Sequence, residues 1–250
     1  MAQSTPLTLG QLYAKDMQDI ARQKEKFPDL SNPKVYDEHV HYWLHIANDI
    51  VLAPQNRKYV VDDNNSKVLR FLLLYFNQSP LADDVFPERK YKLHKNILLQ
   101  GGVGVGKTVM MQVFSEYLRR TKNPMFFHNV SVTQMVNHFS IYNNIDLYTY
   151  NEGDSRGFAI NPHNVCLNDI GVDNRPFYGI DTLTVVNDFL HARNELWGNL
   201  GIADRRFAHL TTNLSNAQLK DKFSSKDDFG RVIDRFKTYN VIPLNGDSRR

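Results

Sequence analysis

Residues 101–108 read Gly-Gly-Val-Gly-Val-Gly-Lys-Thr, which satisfies the pattern G-x-x-x-x-G-K-[ST] at every fixed position. The chemistry of that pattern is phosphate binding. Glycines let the backbone curl so that its N–H groups converge on phosphate oxygens, and a helix behind the loop adds the partial positive charge of its N-terminus. On this reading Gly101, Gly102, Val103, Gly104, Val105, Gly106 and Val109 surround the phosphates of a nucleoside triphosphate. Lys107 reaches the β- and γ-phosphates, and the Thr108 hydroxyl ligates Mg²⁺.

Such a loop needs an acid from a neighbouring strand to hold Mg²⁺ or to activate water. Val165-Cys-Leu-Asn-Asp169 is an apolar strand running into a polar pair. Two carboxylates are the usual pair; here Asn168 takes the first place and Asp169 the second. An amide oxygen brings no charge to Mg²⁺, so either the metal is held weakly or Asp169 does both jobs. Cys166, inside the same strand, reads as a small core residue.

Two further groups could do chemistry. Asn213 stands at the end of an apolar strand, where it can position an attacking water, although Asn213 or Ser215 can equally start the next helix. Arg231 and Arg235 are four apart on one helix face; both suit a phosphate, and Asp234 beside Arg235 offers the plainer reading of a surface ion pair. His39, His41 and His45 have no acidic or thiol partner at fixed spacing and read as packing or partner-surface residues rather than metal ligands.

The elements that must position these residues are legible as alternating patterns. Short apolar strands are expected at 95–100, 125–130, 164–168, 207–212 and 239–244, and helices at 109–118, 132–141, 182–196 and 229–236. That alternation predicts an α/β fold, a parallel sheet with helices on both faces, over residues 91–250. Residues 1–90 form a smaller helical region: a loose arm or short helices to 33, an amphipathic helix over 34–50, and a strongly apolar one over 68–76.

Composition limits the remaining choices. The chain has 250 residues, 42% hydrophobic, enough for a sizeable core, and a net charge of +3 that permits a nucleic-acid partner without demanding one. Its single cysteine excludes an internal disulfide and a cysteine-based zinc site. No signal peptide and no membrane span are read, so the expected setting is the cytoplasm. Arg119, Arg120 and Lys122 form a basic cluster that is either a nucleic-acid contact or a solvated helix end. The aromatic-rich stretch 139–158, with Tyr142, Tyr148, Tyr150 and Arg156, can stack bases or pack as a loop.

The ordered set of motifs GGVGVGKT, LNDIG, TTNLS and FGRVIDRF, with the ending PLNGDSRR, resembles the DnaC/IstB type of AAA+ ATPases, the helicase loaders and transposition ATPases. The resemblance covers about residues 91–250 and implies a P-loop AAA+ sheet flanked by helices. It implies ATP and Mg²⁺ as ligands, Asp169 as the catalytic acid and Asn213 as a γ-phosphate sensor. It also implies Arg235, with Arg231 the competing choice, as a finger reaching a neighbouring subunit, and Arg249 or Arg250 as a terminal nucleotide contact. The departure is Asn168, where the family usually has aspartate, which puts fast hydrolysis in doubt. The family further implies a ring or open spiral of identical subunits, DNA, most readily single-stranded, in its channel, and a replicative helicase or a transposase as partner. Residues 1–90 are then the partner-binding region.

Overall fold

A computed structural model describes residues 7–24, 26–154, 160–171, 179, 181–199, 206–224 and 234–249. Its centre is a five-stranded sheet formed by β1 (Asn96–Gln100), β2 (His128–Ser131), β3 (Val165–Asn168), β4 (Ala208–Thr212) and β5 (Tyr239–Pro243). The strands lie in the order β2-β3-β4-β1-β5, and every pairing is parallel. All strand C-termini therefore emerge at one edge. There the segment leaving β1 is flanked by the segments leaving β4 and β5, and the end of β3 lies one strand further out.

The strands are the expected ones, with β2 starting later than the apolar run at 125–130. Phe127 is fully buried ahead of the ladder, whereas His128 is exposed. The reason is placement: β2 is one of the two edge strands and is less enclosed than the four others. The helices between strands are α4 (Lys107–Arg120), α5 (Val132–Tyr142), α6 (Thr182–Asn199) and α7 (Asn216–Ser224). Local causes set several of the starts. Gly106, at φ 101°, turns the chain out of the phosphate loop into α4. Ser131 and Gln134 exchange side chain-to-backbone bonds in a capping box that opens α5, and Ser215 and Gln218 do the same before α7. The expected helix at 229–236 lies mostly outside the described residues; its end merges into a 3₁₀ turn, Phe236–Thr238.

Before the sheet come α1 (Leu9–Lys24), α2 (Pro33–His45) and α3 (Ser66–Phe76), with a π-helical turn, Ile46–Val51, continuing α2. The loose arm expected to residue 33 contains one 16-residue helix. Asn32 caps α2 by accepting from Lys34 N, with Pro33 at its first turn. The apolar run of α3 is buried over nearly its whole length because it lies inside the same hydrophobic cluster as Trp43, β1 and α4. Trp43, fully buried, contacts Tyr59 edge-on at 5.0 Å and Phe114 at 5.3 Å between ring centres. Thus α2 and α3 share one core with the P-loop strand and helix, while Leu9, Tyr13, Met17 and Ile20 of α1 stay exposed. Among the described residues no helix is long and apolar enough to cross a membrane.

Candidate nucleotide site

The strand ends converge on a cavity of about 710 Å³, lined in part by Val103, Gly104, Gly106, Lys107, Thr108 and Val109. Asp169 comes to it from the end of β3, Asn213 from the end of β4, and Ser248 and Arg249 from the chain beyond β5. Strand order is the cause: with every strand parallel, all the segments that leave the sheet beside β1 meet the phosphate loop. It is where α/β sheets of this kind bind ligands.

Within the loop, Lys107 is 4% exposed. Its ammonium donates to Gly101 O and Gly102 O, each at 2.8 Å, and to Asn213 Oδ1 at 2.6 Å. One cation thereby joins both sides of the loop to the β4 end. Ser215, not Asn213, caps α7, and Asn213 meets Lys107. Val105 is buried and packs into the core, so it can serve a ligand only through its backbone. Two glycines are required by close approach. A Cβ on Gly101 would stand 2.0 Å from Leu244 O, and one on Gly104, at φ +86°, would stand 2.2 Å from Ser248 Oγ.

Asp169 follows β3 in a left-handed conformation at φ 62°, which aspartate tolerates better than most residues. Its backbone N–H donates to Thr211 Oγ1 at 2.9 Å, and Ile170 N–H to Thr211 O at 2.9 Å, so the turn is pinned to β4. Thr212 Oγ1 donates to Ile170 O, and Lys222 Nζ to Gly171 O. These bonds brace the loops after β3 and β4 against each other.

Asn168 is placed elsewhere than the metal role expected of it. It belongs to the strand itself, 4% exposed, and does not line the cavity. Its amide donates to Asn129 Oδ1 at 3.3 Å and Val130 O at 3.4 Å on β2 and accepts from Thr211 Oγ1 at 3.3 Å on β4. The residue cross-links three strands. One position along the chain separates it from Asp169, and the turn at Asp169 gives the two side chains different surroundings.

Arg235 is only 9% exposed and does not line the cavity. Arg231 and Arg250 lie outside the described residues, as does Arg156. Arg249 does reach the cavity, where it pairs with Asp62 at 2.7 Å. The basic cluster is a helix end: Arg119 and Arg120 both bind Glu116, whose carboxyl the Arg119 bond in particular pulls down to about 2. Tyr142 is exposed, and Tyr150 OH donates to Glu195 Oε2 at 2.6 Å. Nδ1 of His39 faces Tyr117 OH, that of His41 faces Asp37 O and that of His45 faces the Asp49 carboxylate; no metal-binding cluster occurs among the described residues.

One wall was not anticipated. Leu52, Arg57, Tyr59, Val60, Asp62 and Asn64 line the same cavity. No motif marks them, because they are a loop whose position depends on α2 and α3 packing against α4.

The residues fit a nucleoside triphosphate with Mg²⁺. The glycine turns, the Lys107 ammonium and the start of α4 suit the phosphates, and Thr108 and Asp169 supply the hard oxygen ligands that Mg²⁺ takes. Bound Mg²⁺ would draw negative charge from the terminal phosphate. The Lys107 ammonium is held at the loop by three oxygen acceptors, and its positive charge is what a phosphate there would meet.

Fold and site together define an α/β domain, a parallel sheet with a phosphate loop at its strand ends. No protein-family profile and no curated protein matches the chain. Among solved structures it is similar to a primosome component from Streptococcus pyogenes serotype M3, at 17% identity over 77% of this chain and 85% of that one, with a TM-score of 0.49. It is also similar to the DnaC helicase loader, at 14% identity over 74% of this chain and 93% of that one, with a TM-score of 0.47. Domain III of the Thermotoga maritima replication initiation protein DnaA gives 16% identity over 74% and 64%, with a TM-score of 0.45. The DnaC/IstB-type resemblance rests on the order of motifs along the chain and not on these likenesses.

Proposed function

We propose that this protein is an ATP-dependent AAA+ ATPase that acts on DNA, a replicative helicase loader that grips single-stranded DNA. The observation that carries the nucleotide part is the convergence of Lys107, Thr108, Asp169 and Asn213 on one cavity from three strand ends. Thr108 and Asp169 hold Mg²⁺, Lys107 the terminal phosphates, and Asn213 the attacking water. The order of motifs supports the loader part. Identical subunits assemble into a ring or spiral, with Arg235, or Arg231 as the competing choice, the arginine that reaches the next subunit's ATP.

Residues 1–90 receive the partner, and within them α1 is the element left to do so. Its apolar side chains are exposed, whereas α2 and α3 are committed to the shared core. The test is capture of binding partners with MgATP, comparing the wild type with Lys107→Ala. A hexameric helicase retained only by the wild type supports the loader. A transposase in its place moves the chain to the transposition branch. Equal MgATP binding by both proteins removes the nucleotide reading.

A further inference from the structure

The chain beyond β5 runs alongside the phosphate loop because β5 is the parallel neighbour of β1. Leu244 N–H donates to Gln100 O at 2.7 Å, and Arg249 N–H donates to Gly104 O at 3.0 Å. This brings the Arg249 side chain to Gly106, where its Cδ lies 3.8 Å from the place a Cβ would take. The guanidinium then turns away from the loop. It donates to both oxygens of Asp62, at 3.0 and 2.7 Å, and to Val60 O at 3.0 Å, while Arg57 donates to Arg249 O. The cavity-lining segment before α3 is thus tied to the phosphate loop through one arginine.

The two ends of this pair are unequally satisfied. Asp62 also accepts from Asn64 N at 3.0 Å and Asn65 N at 3.1 Å, so it keeps two donors if the guanidinium leaves. Arg249 Nε is buried with no hydrogen-bond partner among the described residues. A triphosphate carries several negative charges and many acceptors, against the single charge of Asp62. We infer that Asp62 and Arg249 form a phosphate-sensitive clasp: a triphosphate in the cavity draws the guanidinium off Asp62 and Val60 and releases them from the phosphate loop, while Arg57 keeps its bond to the Arg249 carbonyl. Asp62 is then an internal competitor for the nucleotide, and the loop ahead of α3 reports whether the cavity holds one. This rests on the nucleotide reading of the cavity.

The test is the affinity of the full-length protein for MgATP in four forms: wild type, Asp62→Asn, Arg249→Gln and the double variant. Removing the competitor tightens binding in Asp62→Asn by about threefold, the scale of a part-exposed ion pair. Arg249→Gln binds more weakly, and the double variant binds like Arg249→Gln, since the gain needs a freed arginine. An Asp62→Asn affinity at or below that of the wild type, or the same gain without Arg249, overturns the clasp while the Lys107-dependent site stands. MgATP binding that survives Lys107→Ala unchanged removes the site and the clasp together. Because Asp62 also braces the start of α3, a second readout uses the wild type: the Arg249 Nε–H resonance, assigned through Arg249→Gln, shifts with MgATP and not with adenosine. A resonance unmoved by saturating MgATP overturns the clasp whatever the variants do.

Discussion

The Lys107 ammonium and the Asn213 amide oxygen lie 2.6 Å apart, joining the phosphate loop to the end of β4. The bond holds the lysine beside the loop carbonyls, and in the proposed function the same amide faces the terminal phosphate. Asn213→Ala therefore lowers the turnover of ATP by about 10²-fold, the usual effect of removing one preorganised polar group, with a smaller change in affinity. Steady-state kinetics with a separate binding titration check it; a loss confined to affinity would place Asn213 in ground-state binding alone.

Gly101 and Gly102 make a matched pair for a stability measurement. A Cβ at 101 meets the backbone oxygen of Leu244 at 2.0 Å, whereas one at 102 meets only Val105 Cγ1 at 3.7 Å. Gly101→Ala must displace the chain leaving β5 and is expected to cost about 1–3 kcal/mol in chemical denaturation. Gly102→Ala should stay within about 0.5 kcal/mol of the wild type.

Asn168→Asp is expected to destabilise without accelerating hydrolysis. The amide donates to Val130 O, which cannot become a donor, and a carboxylate there would be buried against that oxygen. The expected loss is about 1–3 kcal/mol. A variant that instead hydrolyses ATP much faster at unchanged stability would show that Asn168 acts as a brake on the site.

His209 ties stability to pH. It is fully buried on β4, its Nδ1 accepts from Ile97 N–H at 3.1 Å, and four aromatic rings surround it. Burial above all, then the nearby Arg193, pushes its pKa down from 6.5 to about 3. A folded-state value below the unfolded one means the unfolded chain takes up the proton more readily. The contribution of neutral His209 is full above about pH 6.5 and is lost as pH falls toward 3. Thermal melts should therefore show stability declining below pH 6.5, and His209→Gln, which keeps an acceptor for Ile97, should flatten that decline. An unchanged slope in the variant would assign the pH dependence to other groups.

How far these residues could be read in advance depended on how local their signals are. The phosphate loop declares itself because backbone curvature, cation and hydroxyl must sit within eight consecutive positions. The strands, and the helices α4, α5 and α6, declared themselves by runs of apolar residues between turns, whereas α7 did not. Asn168 and Asp169 did not separate so easily. They are neighbours of similar shape, and only the left-handed turn at Asp169 sends one into the cavity and leaves the other in the sheet. The burial of Arg235 was hidden for a related reason, since its place on a helix pattern says nothing of what covers it.

By itself, then, the sequence determined the phosphate-loop pattern, the α/β alternation and the candidacy of Asp169 and Asn213, because each is written in a short stretch of backbone or in a repeating apolar pattern. Tertiary structure alone decided that β4 lies between β1 and β3, so that Asn213 rather than Asp169 touches Lys107. It alone brought Asp62 against Arg249 across 187 positions of chain. Contacts of that kind depend on which surfaces bury one another once the whole core has formed, and no single stretch of the chain carries that information.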